Sequence, residues 1–322
     1  MTARPIAPGT WTVGLDIGGT KVHGVLLDED GTLASTVRLP TGTGVTGVVA
    51  SAAQAVERLA ADRCLELGEV AAVGVGVPGV VDPGSGVVAH AVNLGIAGEV
   101  RLAALLTARL GGVPVNVEND LNAAALGASV GRGPRGDLAF LALGTGLAAG
   151  LVLDGAVRRG ISGAAGEVGH LPYVPDGPRC ACGQHGCLEL YASGSALEAR
   201  WGSRTGRPAA VEVFEAAAAG DPEAVGVRDA FADAVATAVR VLALTCDVEH
   251  VVLGGGVAGL GEPLREAVVA ALERHAASSP FLRSLDLGSR LEVAHDEHVA
   301  AIGAALAAAR AGAPEVVGSW RS

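Results

Sequence analysis

The segment from Gly166 to Gly194 places the strongest constraint on how this chain can fold. It holds three of the five cysteines within eight positions, and a histidine lies ten residues before the first of them. The segment is rich in glycine and proline, so it cannot supply a packed core of its own and needs a crosslink to keep its shape. Thiolate and imidazole are ligands that zinc prefers. The candidate ligands of a structural zinc ion are His170, Cys180, Cys182 and Cys187. Inert buried thiols or a disulfide are the alternatives.

Bulk properties narrow the class of protein. A length of 322 residues predicts two lobes, and aromatic residues make up only 3%, so the core must consist of Ala, Val and Leu. The net charge of −11, without a basic run, argues against binding to nucleic acid or to an anionic membrane. We find no uninterrupted apolar run of about 18 residues, and the first ten residues do not resemble a signal peptide. Three clustered and two isolated cysteines do not form a secreted disulfide framework, which predicts a cytoplasmic protein.

A glycine-rich hairpin opens the chain. Residues 11–17 predict a buried strand, Gly18-Gly19-Thr20-Lys21 a tight turn, and residues 22–28 a second strand. Such a turn exposes backbone N–H groups and a hydroxyl, which suits a phosphate chain, although a plain structural turn has the same pattern. Lys21 is the only lysine in the sequence, which suggests that the position requires a compact ammonium group. Asp16, at the end of the first strand, is placed to hold a magnesium ion directly or through water.

A second carboxylate lies between a predicted strand at 113–117 and a predicted helix at 121–130. Ligands of open α/β sheets collect at the carboxyl ends of the strands. Asp120 occupies such a position, and the residues alone leave two roles open. It is either the N-cap of the helix or a catalytic base.

The plan of the first hairpin recurs in the second half of the chain. The strand 138–143, the turn Gly144-Thr145-Gly146 and the strand 147–153 again read as strand, glycine–threonine turn, strand. Two similar hairpins, one in each lobe, suit the binding of one nucleotide. Further on, Gly254-Gly255-Gly256 follows a strand at 250–253 and would let the backbone approach a flat ring or a ribose. Alanine-rich helices are predicted over 194–219 and 223–245.

Several motifs in this order resemble the ROK family of bacterial sugar kinases and repressors. The most specific are E-x-G-H at Glu167–His170, C-x-C-G at Cys180–Gly183 and G-C-x-E at Gly186–Glu189. Supporting motifs are DIGGTK, VPGVVD, the pair Asn93-Leu94, END at 118–120, GTG at 144–146 and GAA at 303–305. The likeness is strongest to the branch of ATP-dependent glucokinases. It implies an α/β, two-lobed, actin-like or hexokinase-type ATPase fold built from duplicated ribonuclease H-like domains.

The resemblance also implies how the chain is divided and what it binds. The small lobe would comprise residues 1–118 with a C-terminal helix within 298–322, and the large lobe residues 119–297 with the zinc-binding loop at 166–194. The family favours a homodimer or a homotetramer. Its repressor branch carries a helix-turn-helix arm ahead of the first hairpin, and only about a dozen residues precede that hairpin here, so no DNA-binding module is expected.

The function implied by the resemblance is phosphorylation of glucose at O6 by ATP and Mg²⁺, giving glucose 6-phosphate and ADP. Asp120 would be the general base, and His170 would offer one ring nitrogen to a structural zinc ion and the other to the sugar. The sugar would be bound by Asn93, Asn119, Asp120, Glu167, His170 and Glu189. ATP would be bound by Asp16, Gly18, Gly19, Thr20, Lys21, Gly144, Thr145, Gly146, Gly254, Gly255 and Gly256.

One departure from the family pattern concerns the second turn, where Ala148 and Ala149 replace two glycines. Their methyl groups are expected to crowd the phosphates or to tighten the turn. Three other functions compete with a glucokinase: a kinase for N-acetylmannosamine, fructose or allose, a non-catalytic sugar sensor, and a zinc-dependent hydrolase. The hydrolase ranks last, because four protein ligands would leave the metal no open position for water.

Overall fold

The computed structural model describes residues 11–132, 136–294 and 297–311, and the chain divides into two compact units. Unit 1 contains the described residues up to Val130 and those from Glu297 onward, and unit 2 contains the described residues from Gly131 to Ala294. Residues 1–10 and 312–322 of the predicted small lobe lie outside the described residues. Within the described ranges, no helix combines the length and apolar character needed to cross a bilayer.

Unit 1 contains a five-stranded sheet with helices on both faces and a separate two-stranded ribbon. Its strands are β1 (Trp11–Ile17), β2 (Lys21–Leu27), β3 (Leu33–Pro40), β4 (Val70–Val77), β5 (Val80–Asp82), β6 (Val87–Ala89) and β7 (Val115–Asn119). Its helices are α1 (Gly44–Asp62), α2 (Leu102–Arg109), α3 (Asp120–Ala128) and α9 (Val299–Ala311). The sheet order is β3-β2-β1-β4-β7, in which β1, β2 and β3 are antiparallel neighbours and β1, β4 and β7 are parallel. Strands β5 and β6 form a separate ribbon.

Helix α9 packs against the sheet of unit 1 at positions that have no side chain. A Cβ atom added at Gly14 on β1 or at Gly74 on β4 would overlap the carbonyl oxygens of Ala301 and Ala304, respectively. Helices α3 and α9 also pack against each other through glycine, since a Cβ at Gly303 would overlap the backbone of α3. Helix α3 therefore belongs to unit 1, and the predicted boundary between residues 118 and 119 falls inside this unit.

Unit 2 repeats the topology of unit 1. Its strands are β8 (Leu138–Leu143), β9 (Leu147–Leu153), β10 (Ala156–Val157), β11 (His250–Gly254) and β12 (Leu291–Val293). Its helices are α4 (Gly194–Trp201), α5 (Ala209–Ala218), α6 (Pro222–Cys246), α7 (Glu262–Ala276) and α8 (Pro280–Ser284). The sheet order is β10-β9-β8-β11-β12, with an antiparallel hairpin at β8 and β9 and parallel pairing from β8 to β12. The repeated strand–turn–strand plan predicted from the sequence is confirmed.

The alanine-rich region differs from its prediction in one place. The predicted helix over 194–219 is two helices, α4 and α5. Gly202 and Gly206 both have positive φ, and Pro208 precedes the first residue of α5, so the helix cannot continue through this segment. The predicted break before α6 is confirmed, since the Asp221 side chain accepts hydrogen bonds from the first N–H groups of α6 and Pro222 begins that helix.

Candidate active site and metal centre

Thr41, which follows the third strand, stabilises the turn of the first hairpin. The Thr41 hydroxyl donates to the carbonyl oxygen of Gly18 at 2.7 Å, and its N–H donates to the carbonyl of Thr20 at 3.1 Å. Gly19 lies against the backbone of Asn93, where a Cβ atom would come within 2.9 Å of the Asn93 carbonyl oxygen. Among the described residues, the N–H groups of Gly19 and Thr20 find no acceptor. The turn therefore presents two backbone donors next to Asn93, as a phosphate-binding turn requires.

Two acidic residues, Asp16 and Glu118, lie near the carboxyl ends of the parallel strands β1 and β7 in unit 1. In the sheet register, Asp16 of β1 pairs with Gly76 of β4, and Gly76 pairs with Glu118 of β7. The first residue of α3 lies over this row, because a Cβ atom added at Gly76 would be 3.5 Å from Cα of Asp120. Burial, together with the charge of Asp120, raises the pKa of Asp16 from 3.8 to about 6.

Asn119, rather than Asp120, is the N-cap of α3. Its side-chain oxygen accepts from the N–H groups of Leu121 at 3.0 Å and Asn122 at 3.2 Å, while its Nδ2 donates to the carbonyl of Gly79 at 3.1 Å. The Asp120 carboxylate accepts a hydrogen bond from the N–H of Leu121 through Oδ1 at 2.8 Å. Burial raises the pKa of Asp120, and hydrogen bonds from backbone N–H groups partly oppose that rise. Asp120 is therefore not the N-cap of α3, and its role as a catalytic base stays a prediction.

The four predicted zinc ligands of unit 2 lie together. One ligand atom from each of His170, Cys180, Cys182 and Cys187 lies within 4.8 Å of the other three. The Sγ atoms of Cys182 and Cys187 are 3.6 Å apart, and Cys180 Sγ lies 3.9 Å from His170 Nδ1. A tetrahedral ion with Zn–S bonds of about 2.3 Å and Zn–N bonds of about 2.0 Å separates its ligand atoms by roughly 3.5–3.8 Å. The donor set thus fits zinc, and a separation of 3.6 Å is far longer than a disulfide bond of about 2.05 Å.

The local environment already favours a thiolate in this cluster. Hydrogen bonds from the backbone and side chain of Gln184 lower the pKa of Cys182, whereas burial and the neighbouring thiols raise the pKa of Cys187. Gln184 Nε2 also donates to the carbonyl oxygen of His170 at 3.2 Å. Gln184 therefore organises the loop around its ligands, and sequence reasoning assigned it no role.

The imidazole of His170 has a different neighbour at each ring nitrogen. Its Nδ1 faces Cys180, and its Nε2 lies 3.9 Å from an oxygen of Glu167. Glu189 approaches the same cluster, since its Oε1 is 3.8 Å from Cys180 Sγ. Two predicted sugar-binding side chains of unit 2, Glu167 and Glu189, therefore lie next to the candidate metal ligands, and a third, His170, is one of those ligands.

The second glycine–threonine turn is tied to Glu189. Its Oε2 accepts from the N–H of Leu147 at 3.1 Å, and a Cβ atom at Gly146 would overlap this carboxylate. The N–H of Gly194, at the start of α4, donates to the carbonyl of Gly144 at 2.7 Å. Glu189, a predicted sugar-binding residue, is thus in direct contact with the predicted phosphate-binding turn within unit 2.

Ala148 and Ala149, which were expected to crowd the phosphates or to tighten this turn, lie beyond the turn itself, and that expectation stays a prediction. Both residues lie in β9, where they pair with Ala142 and Leu141 of β8, and the turn itself spans residues 144–146. Ala149 is buried in the core of unit 2, and its N–H donates to the carbonyl of Gly166 at 2.8 Å. Its methyl group therefore contributes to packing.

Two of the three glycines after β11 have structural reasons to be glycine. A Cβ atom at Gly254 would overlap the ring of Phe140, and Gly255 has a φ of 80° and packs on the backbone of Leu143. Gly256 alone among the three has open space around its missing side chain. A close approach of this segment to a ligand is thus available at Gly256, where a short 3₁₀ helix begins.

Comparison with known proteins agrees with this geometry. The profile of the ROK family matches residues 12–311. This chain belongs to the ROK family. A glucokinase of Streptomyces coelicolor is 40% identical over 217 residues. The matched part makes up 66% of this chain and 66% of the glucokinase, which is just under two thirds of that protein. The N-acetylmannosamine kinase of Vibrio cholerae is 33% identical over 264 residues, covering 81% of this chain and 89% of the kinase.

A solved ROK structure matches nearly the whole chain. The ROK glucokinase of Streptomyces griseus, in complex with glucose and AMPPNP, is 32% identical, with a TM-score of 0.74 over 93% of this chain and 99% of that one. The predicted fold class is confirmed: this ROK chain has the two-unit, actin-like or hexokinase-type ATPase fold. Its sequence motifs located the turns, the carboxylate Asp120 and the four candidate zinc ligands. They did not reveal the supporting contacts of Thr41, Glu118 and Gln184.

Proposed function

We propose that this ROK protein is an ATP-dependent glucokinase that transfers the γ-phosphoryl group of ATP to O6 of glucose. The observation that carries the proposal is the state of Asp120. Because Asn119 caps α3, the Asp120 carboxylate is not the N-cap of the helix, and it follows the carboxyl end of the parallel strand β7. Its raised pKa makes it a better proton acceptor than an exposed aspartate. The relatedness to glucokinases supports glucose as the acceptor.

The reaction places a few demands on the protein. Asp120 accepts the proton of the sugar 6-hydroxyl as O6 forms a bond to the γ-phosphorus, and the bond from that phosphorus to the bridging oxygen of ADP breaks. The transition state is loose, so the protein chiefly orients the reactants and neutralises the phosphates. The N–H groups of Gly19 and Thr20 and the ammonium group of Lys21 bind the phosphates, and Asp16 would hold the Mg²⁺ ion that accompanies ATP and neutralises part of its charge.

The residues of unit 2 act on the uncharged sugar. A hexose has no charge, so it must be recognised by hydrogen bonds at fixed angles, which carboxylates and an imidazole provide. Glu167, Glu189 and Nε2 of His170 have these acceptors and donors. A zinc ion held by the four ligands of the loop would supply a structural crosslink there. The side chains that bind the sugar would then be held rigidly.

A second candidate function, the phosphorylation of N-acetylmannosamine, is favoured by the relatedness to a kinase of that name over most of the chain. The carboxylates and the histidine of unit 2 suit either sugar. A coupled assay with glucose, N-acetylmannosamine, fructose and allose distinguishes the candidates.

The proposal is tested with the wild type, Asp120→Asn and a matched control. Loss of general-base assistance should lower kcat for glucose by about 10²–10⁴-fold while glucose binding stays measurable by calorimetry. Asp28→Asn is the control, because Asp28 also follows a strand of unit 1 and accepts backbone N–H groups at 2.8 and 3.0 Å, and it should keep full activity. An Asp120→Asn enzyme with wild-type kcat would refute the role of the base. A wild type that phosphorylates none of the four sugars would refute the function.

We also propose a reducing, cytoplasmic location and a homodimer or homotetramer. The five cysteines are free thiols, which suits a reducing compartment. The oligomeric state rests on the family resemblance. Light scattering on the purified protein measures it, and metal analysis of the same sample measures the zinc content.

A further inference from the structure

Glu118 is a buried carboxylate next to the proposed base, and its side chain is at the strand–helix junction. It is only 1% exposed, and it lies in the same register row as Asp16 and Gly76. Its Oε1 accepts two hydrogen bonds, from the N–H of Asn119 at 3.0 Å and from Nδ2 of Asn122 at 3.1 Å. A buried carboxylate is costly to desolvate, so these contacts must supply compensating stabilisation.

The two hydrogen bonds connect the strand to the first turn of α3. In a capping box, the side chain at the third helical position accepts from the N–H of the N-cap residue. Here the N-cap is Asn119 and the third position is Asn122, but the N–H of Asn119 donates to Glu118 instead. Asn122 completes the connection by donating its side-chain amide to the same oxygen. Glu118, in the preceding strand, thus accepts the hydrogen bond that the side chain at the third helical position accepts in a capping box.

Asp120 lies between the two residues that Glu118 binds. The positions of Asn119 and Asn122 determine where the first helical residue points, and α3 lies over Gly76 at this point. A general base requires its oxygen within hydrogen-bond reach of the sugar hydroxyl, and displacement by about 1 Å can reduce the rate by about 100-fold. The buried oxygen of Glu118 is therefore in a position to control the geometry of the base.

We propose that Glu118 is a positioning residue for phosphoryl transfer, which fixes the first turn of α3 and with it the carboxylate of Asp120. This inference rests on the proposed function. Because Glu118 acts as a hydrogen-bond acceptor, an amide oxygen at the same place serves as well. Because it acts through Asp120, its loss lowers kcat and leaves KM for glucose near the wild-type value.

The variants separate this role from a purely structural one. Glu118→Ala removes both hydrogen bonds, Glu118→Gln keeps the acceptor oxygen, and Asn122→Ala removes only the second donor. The matched control is Glu212→Ala in unit 2. Glu212 is also buried, at 7% exposure, and accepts the backbone N–H groups of Arg204 at 2.8 Å and Thr205 at 2.9 Å, but it is not among the proposed site residues.

The experiment measures kcat, KM for glucose and the melting temperature of each variant, with kcat taken at a temperature where every variant is folded. Glu118→Ala should lose roughly 10- to 100-fold in kcat, Asn122→Ala should lose less, and Glu118→Gln should restore most of the rate. Glu212→Ala should melt earlier and keep its kcat. If Glu118→Ala does not fold, Asn122→Ala decides the matter.

Three results would overturn the inference. One is a wild-type kcat in folded Glu118→Ala or, where that variant does not fold, in Asn122→Ala. Another is a Glu118→Gln enzyme as slow as Glu118→Ala, which would mean that charge matters rather than the hydrogen bonds. The third is a loss confined to KM. All three presuppose an active wild type, so they are distinct from the failure of the proposed function, in which the wild type itself phosphorylates no sugar.

Discussion

Replacing Asp16 by asparagine should stabilise unit 1 at neutral and alkaline pH. Asp16 shares its register row with Glu118 and lies near Asp120, and burial and the charge of Asp120 raise its pKa from 3.8 to about 6. A carboxyl group with a raised pKa in the folded state binds its proton more tightly there than in the unfolded chain. The wild type therefore loses stability as the pH rises from about 4 to 6, and the asparagine variant does not.

The size of the gain follows from the pKa. At 1.36 kcal/mol per pKa unit, a rise from 3.8 to about 6 corresponds to about 3 kcal/mol at any pH above the folded pKa. Asp16 is partly exposed, and solvent screening reduces this upper bound to roughly 1–2 kcal/mol. Linkage requires the gain to fall to about half by pH 5 and to vanish below pH 4.

Urea unfolding of the nucleotide-free protein at pH 8 and pH 5 measures the gain. Circular dichroism and the fluorescence of Trp11 and Trp201 should both be followed, because two units need not unfold together. Asp82→Asn is a control of opposite sign. Hydrogen bonds from Ser85 and the N–H of Gly84 lower the pKa of Asp82, so its loss should reduce stability at pH 8. An Asp16→Asn variant no more stable than the wild type at pH 8, or equally stabilised at both pH values, would refute the electrostatic reasoning.

Two further predictions concern the metal loop and the sheet of unit 1. Cys187→Ser should lower the zinc content measured by mass spectrometry, reduce the melting temperature and raise KM for glucose. The control variant Cys64→Ser, at an exposed cysteine, should change none of these. Full zinc content in Cys187→Ser would contradict the ligand assignment. Gly74→Ala should destabilise unit 1 by about 1–3 kcal/mol in urea unfolding, because the new methyl group would overlap the carbonyl of Ala304. Gly68→Ala, which has open space around it, is the matched control, and an equal effect of the two substitutions would argue against tight packing of α9.

Much of the site could be predicted because its residue types are unusual. A Cys- and His-bearing loop that is rich in glycine and proline needs a crosslink to keep its shape, and the four predicted zinc ligands lie together in unit 2. The glycine–threonine turns were also predictable, because the strands on both sides are apolar runs. The scarcity of aromatic residues correctly indicated a core of Ala, Val and Leu.

The contacts that the sequence did not reveal depend on register. The strand leading to Asp120 was predicted to end at Val117, but it extends to Asn119, and α3 begins at Asp120 with Asn119 as its N-cap. Which oxygen accepts which N–H depends on such single-residue shifts, and side-chain periodicity does not resolve them.

The glycine-lined contact of α9 has a consequence for how the protein is made. Strands β1 and β4 leave the ribosome early, but the helix that covers them at Gly14 and Gly74 is translated only after all of unit 2. During synthesis, unit 2 has every element of its own core before unit 1 does. The order of folding should thus reverse the order of translation. Until α9 is synthesised, one face of the sheet of unit 1 stays uncovered, and a chaperone can bind such an exposed apolar surface.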